Sequence, residues 1–332
     1  MDQISIQKGR IVTLEEGNGL EKIIDKVQAP VAAVVVMACN RANYLERILQ
    51  TSKFCSFKVS PFCIPEDPDV KSKALSYNQL TYMQHLDHEP VHTERPEEMI
   101  VYYKIARHYK WALDQLFYKH NFSRVIILED DMEISPDFFD YFEAAVALLE
   151  SPLWLFLHGM TMDKNSLCRI LVSSFGAWID MLYRSDFFPG LGWMLAKSTW
   201  DELSPNGSSL GQYFKQYLEP IKLNGVQVDW KSMELNYLME DKYVKHFADM
   251  VKNARPVCGT DDVLKECNID CDVRIQYKDE TDFEHIARQF GIFEEWEDGV
   301  PRTAYKGVVV FRYQSPKRVF LVGPESLQHL GI

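Results

Sequence analysis

The stretch Val125-Ile126-Ile127-Leu128-Glu129-Asp130-Asp131 decides the fold. Four apolar residues, β-branched except for Leu128, read as a strand buried on both faces, as in a parallel sheet covered by helices. Three carboxylates follow without a break. Negative charges at the end of a buried strand are costly unless something positive meets them. In open α/β sheets the carboxyl ends of the strands are where ligands sit. A bound hard divalent cation such as Mg²⁺ or Mn²⁺ answers both points, because such ions take carboxylate oxygens together with substrate phosphates. The competing reading is a solvated acidic loop that leads into a helix, with Ser135 as its cap and Pro136 opening it.

Around this stretch the chain has the makings of an α/β protein. Its 332 residues suffice for one large domain or two smaller ones. A net charge of −12 argues against broad nucleic-acid or anionic-membrane binding, so a phosphate ligand needs a metal or a local basic spot. The seven cysteines, at 39, 55, 63, 168, 258, 267 and 271, form no CxxC pair, which speaks against a zinc site. Cys258 could pair with Cys267 or Cys271, and free thiols are the alternative. Asn121-Phe122-Ser123 and Asn206-Gly207-Ser208 fit the glycosylation acceptor pattern. The longest apolar run, from Val31 to Cys39, is far shorter than the roughly 20 residues of a membrane span, and no signal peptide is visible.

Residues 1–28 read as a lead-in with rough helical spacing, broken at Gly17-Asn18-Gly19. Val31–Met37 is a buried strand, and Asn43 can cap a helix running to Ser52. Residues 53–70, with three prolines, look irregular. Thr81–Leu86 could be a strand. Glu98–Lys119 reads as a strong helix with Ile105, Ala112, Leu113 and Leu116 on one face, and Pro136–Leu149 as another. Periodicity fails from Ser151 to Leu182. Farther on, Asp272–Tyr277 alternates, Phe283–Phe290 suits a helix, and Gly307–Tyr313 with Arg318–Val322 suits a hairpin.

Taken singly, the other candidate residues have ordinary readings. Arg41 is an exposed loop charge and His108 a satisfied core histidine. Phe188-Pro189-Gly190-Leu191-Gly192-Trp193 is a tight turn ending in a core aromatic, or a loop whose glycines admit a ligand and whose Trp193 carries a sugar ring.

A resemblance changes these readings. Strand alternation would set Glu129 and Asp131 on one side and Asp130 on the other, and such a triplet resembles the DxD signature of nucleotide-sugar glycosyltransferases. The blocks Val31–Arg41, Tyr103–Leu113, Val125–Pro136, Leu182–Trp193 and Gly299–Gly307 together resemble the plant-type N-acetylglucosaminyltransferase I family. That resemblance implies a GT-A fold, with a Rossmann-like nucleotide-binding half and a smaller mixed α+β C-terminal half. It implies a stem remnant at 1–28, a nucleotide-sugar-binding domain at 29–150, an aberrant insert at 151–182, and an acceptor side with the C-terminal domain at 183–332.

The implied activity is inverting transfer of GlcNAc from UDP-GlcNAc, with Mn²⁺, in β-1,2 linkage to the α-1,3-linked mannose of a high-mannose N-glycan. By motif, Asp131 is the metal ligand, Asp130 meets the donor sugar and ribose, and Glu129 faces the donor. Arg41 lies on the uridine side, His108 binds the nucleotide, and Ser209 touches the donor from a closing loop. The implied location is the Golgi lumen, as a type II membrane protein, although no anchor is visible. Three departures accompany the match. The uracil-binding Asp of the family has no clean counterpart, with Asp67 the nearest acid. Residues 151–182 resemble no part of the family. Ser204-Pro205 runs directly into Asn206, so the segment carrying the family's catalytic base has no counterpart and no catalytic residue is assigned.

Overall fold

In the computed structural model, the described residues are 32–51, 57–61, 67–78, 80–91, 100–132, 134, 137–146, 157–158, 183–184, 192–204, 229–265, 271–297, 299–313 and 318–332. Ser209, the lead-in 1–28, Ser135, Pro136, residues 185–191 and all but two residues of 151–182 lie outside them.

The first half alternates strands and helices: β1 (Ala33–Ala38), α1 (Ala42–Thr51), β2 (Phe57–Pro61), α2 (Pro68–Leu75), β3 (Leu80–Tyr82), α3 (Ile100–Asp114), β4 (Arg124–Glu129) and α4 (Phe138–Ala145). A short β5 (Leu157–His158) and β6 (Trp193–Ala196) complete a six-stranded sheet in the order β3-β2-β1-β4-β6-β5. The four strands β3, β2, β1 and β4 run parallel, whereas β6 pairs antiparallel with both β4 and β5. The order reverses between β1 and β4, the topological switch point of such sheets.

The two central strands are apolar on both faces because both faces are covered. Val34, Val36, Ile126 and Leu128 enter one core, while Ala33, Val35, Met37, Val125 and Ile127 enter another with Tyr109, Ala112, Leu113 and Leu116 of the α3 segment. Trp193 belongs to that second core and is 5% exposed, so it packs as a core aromatic and offers no platform for a sugar. Helix α3 passes directly into a π turn, Gln115–Lys119, closed by the His120 N–H donating to the Gln115 carbonyl at 2.9 Å. Asn121 ends it at φ 54°, a left-handed conformation that asparagine tolerates.

After β6 come α5 (Lys197–Leu203), α6 (Glu240–Asn253), β7 (Arg255–Val257), α7 (Asp261–Lys265), β8 (Val273–Gln276) and α8 (Glu280–Phe290). The chain closes with a small ribbon of β9 (Trp296–Glu297) and β10 (Val300–Pro301), the hairpin β11 (Val308–Arg312) and β12 (Arg318–Val322), and α9 (Ser326–His329). A second sheet has the order β11-β12-β8-β7. Val309, Phe311, Val319 and Leu321 face a core with α8, whereas Val308, Val310, Phe320 and Val322 join the core under β1 and β4. Helix α6 supplies Tyr243, Phe247 and Val251, all fully buried, to that shared core. Each such side chain contributes about 1.5–3 kcal/mol by leaving water.

Several local expectations are corrected. Residues 53–70 hold a strand and the start of a helix: β2 pairs parallel with both β1 and β3, and Pro61 is its last residue. Asn43 is the second residue of α1 and not its cap, since the Arg41 carbonyl already accepts from Tyr44 and Leu45. The strand sought at Thr81–Leu86 is confined to Leu80–Tyr82. Helix α4 is flanked by Asp137, whose carboxylate instead accepts the Trp230 indole N–H at 2.9 Å. Of the two readings left open for Cys258 and Cys271, the free thiols are the ones found.

Candidate functional site

The acidic triplet sits at the carboxyl end of β4, beside the end of β1. The strand stops at Glu129, and Asp130 and Asp131 form a turn closed by the Met132 N–H donating to the Glu129 carbonyl at 3.3 Å. Strict alternation therefore ends at Glu129. Asp130 and Asp131 converge on one partner, in contrast to the opposite sides expected of them, and Glu129 is bonded elsewhere.

That partner is Arg41, the last of the three residues between β1 and α1. Its Nη2 lies 2.5 Å from Asp130 Oδ1 and its Nη1 3.0 Å from Asp131 Oδ2. The guanidinium also lies over the Tyr44 ring, 5.2 Å from its centroid. Asp130 is 2% exposed, and the Cys39 N–H donates to its Oδ2 at 3.2 Å, while its own N–H donates to the Met37 carbonyl at 3.0 Å. This buried acid is thus tied by three bonds to the end of β1 and the residues just after it. Burial pushes its pKa above the ordinary aspartate value, against the pull of Arg41 and the Cys39 N–H. Burial works to lower the Arg41 pKa, yet Asp130 and Asp131 outweigh it and the net direction is upward. Asp131 is the accessible member, with a third of its side chain exposed.

Glu129 accepts a hydrogen bond from the Tyr109 hydroxyl at 2.7 Å. Burial raises its pKa, with the Tyr109 bond opposing. Next to Tyr109 on α3, His108 is buried and stacks with His85 and Trp111; the two histidines face each other through Nδ1 atoms 3.4 Å apart. Only one proton can lie between two such nitrogens. Asp67, considered as a uracil contact, instead caps α2: its Oδ1 accepts from the N–H groups of Asp69 and Val70, each at 3.0 Å.

Sequence reasoning missed Tyr109 and His85. A tyrosine within the apolar face of α3 is a usable signal, since a buried phenol requires a partner and the adjacent strand ends in acids. His85 lies in an irregular stretch and carries no such signal.

The described residues contain no group of three or more His, Cys, Asp or Glu able to hold a metal ion. Asp131, a third exposed, is the acid of the pair that a hard cation could reach, and such ions complete their shell from substrate phosphates.

Fold and rim together place the chain among α/β proteins whose ligand crevice lies outside the carboxyl ends of the strands at a switch point. The model of the GNT-I family matches residues 1–206 and 206–332. The chain is similar to the alpha-1,3-mannosyl-glycoprotein 2-beta-N-acetylglucosaminyltransferase of Arabidopsis thaliana, at 53% identity, with 100% of this chain and 87% of the relative covered. It belongs to the GNT-I family. The alignment runs over 393 positions against 332 residues here, so the relative has internal residues without counterparts. The two matched segments of the family model meet at residue 206.

Proposed function

We propose that this chain is a β-1,2-N-acetylglucosaminyltransferase that takes GlcNAc from UDP-GlcNAc, with inversion, to the α-1,3-linked mannose of a high-mannose N-glycan. The observation that carries the reading is the full-length similarity to a relative of that name. The rim of Asp130, Asp131 and Arg41 at the β1–β4 switch point supports it as the donor site, and the mixed sheet behind it supports a GT-A fold. The division into a nucleotide-sugar half and an acceptor half is part of the same reading, as are a Golgi setting and N-glycan maturation. No helix among the described residues is long and apolar enough to cross a membrane.

Asp131 would hold Mn²⁺, which when bound offsets the charge on the departing diphosphate. The chain's own residues do the rest. Asp130 is buried with both oxygens engaged, so it would meet donor hydroxyls once Arg41 turns from it to the ligand. Arg41, 41% exposed at the rim, is free to trade its carboxylate partners for an anionic ligand. Glu129 and His108 sit on the flank formed by β4 and α3.

Inverting transfer needs a carboxylate to take the proton from the attacking mannose hydroxyl. The two family matches meet at residue 206, where Ser204-Pro205 runs straight into Asn206; the resemblance would set the base-bearing segment at that junction, and a second reading is therefore carried into the test: donor binding without turnover. One experiment separates them. The purified chain is incubated with UDP-GlcNAc, Mn²⁺ and an oligomannose N-glycan, and product mass is read alongside donor binding. Addition of one GlcNAc establishes the first reading. Mn²⁺-dependent binding without product establishes the second, and absence of both refutes the pair.

A further inference from the structure

Tyr109 stands apart from the other residues at the rim. It is 4% exposed, packed into the core beneath β1 and β4 with Met37, Ile127 and Leu113. Its ring is therefore held by a rigid helix against a rigid sheet. From this apolar setting the hydroxyl reaches Glu129 and donates to Oε1 at 2.7 Å. A phenol bonded to a carboxylate makes a short, charge-assisted contact that fixes both partners. Glu129 is the last residue of β4, one position before the chain turns toward Arg41. Its backbone is pinned by the sheet, in register with Met37. With Oε1 engaged, its side-chain torsions are set, and with them the direction of Oε2.

We propose that Tyr109 is a positioning residue for donor-sugar recognition: it holds the Glu129 carboxylate in the one orientation that meets the sugar of the donor. The inference rests on the donor-site reading above and goes beyond it by assigning a residue outside the acidic rim. A purely structural tyrosine would secure the packing of α3 and leave discrimination between donors untouched. By the resemblance Glu129 faces the donor and Arg41 the uridine, so on that reading a positioning tyrosine acts on the sugar and spares the nucleotide.

The test compares affinities for UDP and for UDP-GlcNAc, each with Mn²⁺, by calorimetry on the whole chain. In Tyr109→Phe the affinity for UDP should be unchanged and that for UDP-GlcNAc should fall roughly tenfold, the scale of a lost hydrogen bond to a charged group. Glu129→Asp keeps the charge but withdraws the carboxylate from the phenol, and should show the same selective loss even where Tyr109→Phe folds poorly. In a Glu129→Ala background, adding Tyr109→Phe should change nothing further. An unchanged ratio of the two affinities in a folded Tyr109→Phe, an equal loss for UDP, or, where Tyr109→Phe does not fold, an unchanged ratio in Glu129→Asp would overturn the role of Tyr109 alone. Failure of the unmodified chain to bind either nucleotide would overturn the donor site itself.

Discussion

Arg41 Nη1 lies 3.0 Å from Asp131 Oδ2 while the same guanidinium grips Asp130, so one cation from the β1–α1 junction neutralises two acids from the β4 turn. The residues are some ninety positions apart and meet because β1 and β4 are parallel neighbours. Removing that cation leaves Asp130 buried with a backbone N–H as its principal support. Arg41→Gln should therefore destabilise the fold by about 1–3 kcal/mol, less than the rupture of a fully buried pair because Arg41 is partly solvated. Arg41→Lys should recover only part of this, since an ammonium cannot fork across two carboxylates. Urea denaturation of both variants checks the order.

Asp131 is expected to act on ligand and not on stability. Its side chain is a third exposed, and its replacement strands no buried group. Asp131→Asn should leave the melting temperature within a degree or two, and abolish the part of the UDP-GlcNAc affinity that depends on Mn²⁺, a drop of at least about tenfold. Titrations with and without the metal give the comparison. Retained metal dependence would remove Asp131 from the metal-ligand role.

His85 gives the fold an acid sensitivity. Burial lowers its pKa from the ordinary 6.5, with Asp87 opposing, and its ring stacks on His108 and Trp111. The unfolded chain takes up the proton first as pH falls, so between the folded pKa and 6.5 the unfolded state binds more protons. Stability is then present above 6.5 and declines as pH drops through that window. His85→Gln should flatten this decline, as read from urea melts between about pH 7.5 and about pH 5.5.

Trp230 joins the turn at 230–232 to the start of α4 through its bond to Asp137, and both residues are buried. Trp230→Phe keeps most of the packing and deletes the donor. The cost should be about 1–2 kcal/mol in chemical denaturation, the usual range for depriving a buried acceptor of one partner.

The parts of this fold that can be read from sequence are those whose pattern has one physical solution. Val125–Leu128 and Val34–Val36 are unbroken apolar runs because each strand is covered on both faces. The β11–β12 hairpin is legible as two apolar runs across Gln314-Ser315-Pro316-Lys317. Strand β2 is illegible: Phe57-Lys58-Val59-Ser60-Pro61 has little intrinsic preference and is held by neighbours on both sides. At the site, the acidic triplet and Arg41 are legible, but their pairing is not. The end of a strand shows in neither composition nor period, and a turn one residue earlier or later sends Asp130 to a different partner. Asp67 is ambiguous for a similar reason, since an acid before a proline is as good a helix cap as a ligand contact.

The π turn at Gln115–Lys119 makes chain length in that segment a counted quantity. Each residue added to or taken from a helix rotates the downstream chain by about 100°, and Leu116 and Phe117 are fully buried there. A deletion that regularised the turn would swing these two side chains out of their sockets and shift the entry into β4. Surface loops in general lengthen at little thermodynamic cost. An indel here would instead be felt at Glu129, Asp130 and Asp131, through the strand that delivers them.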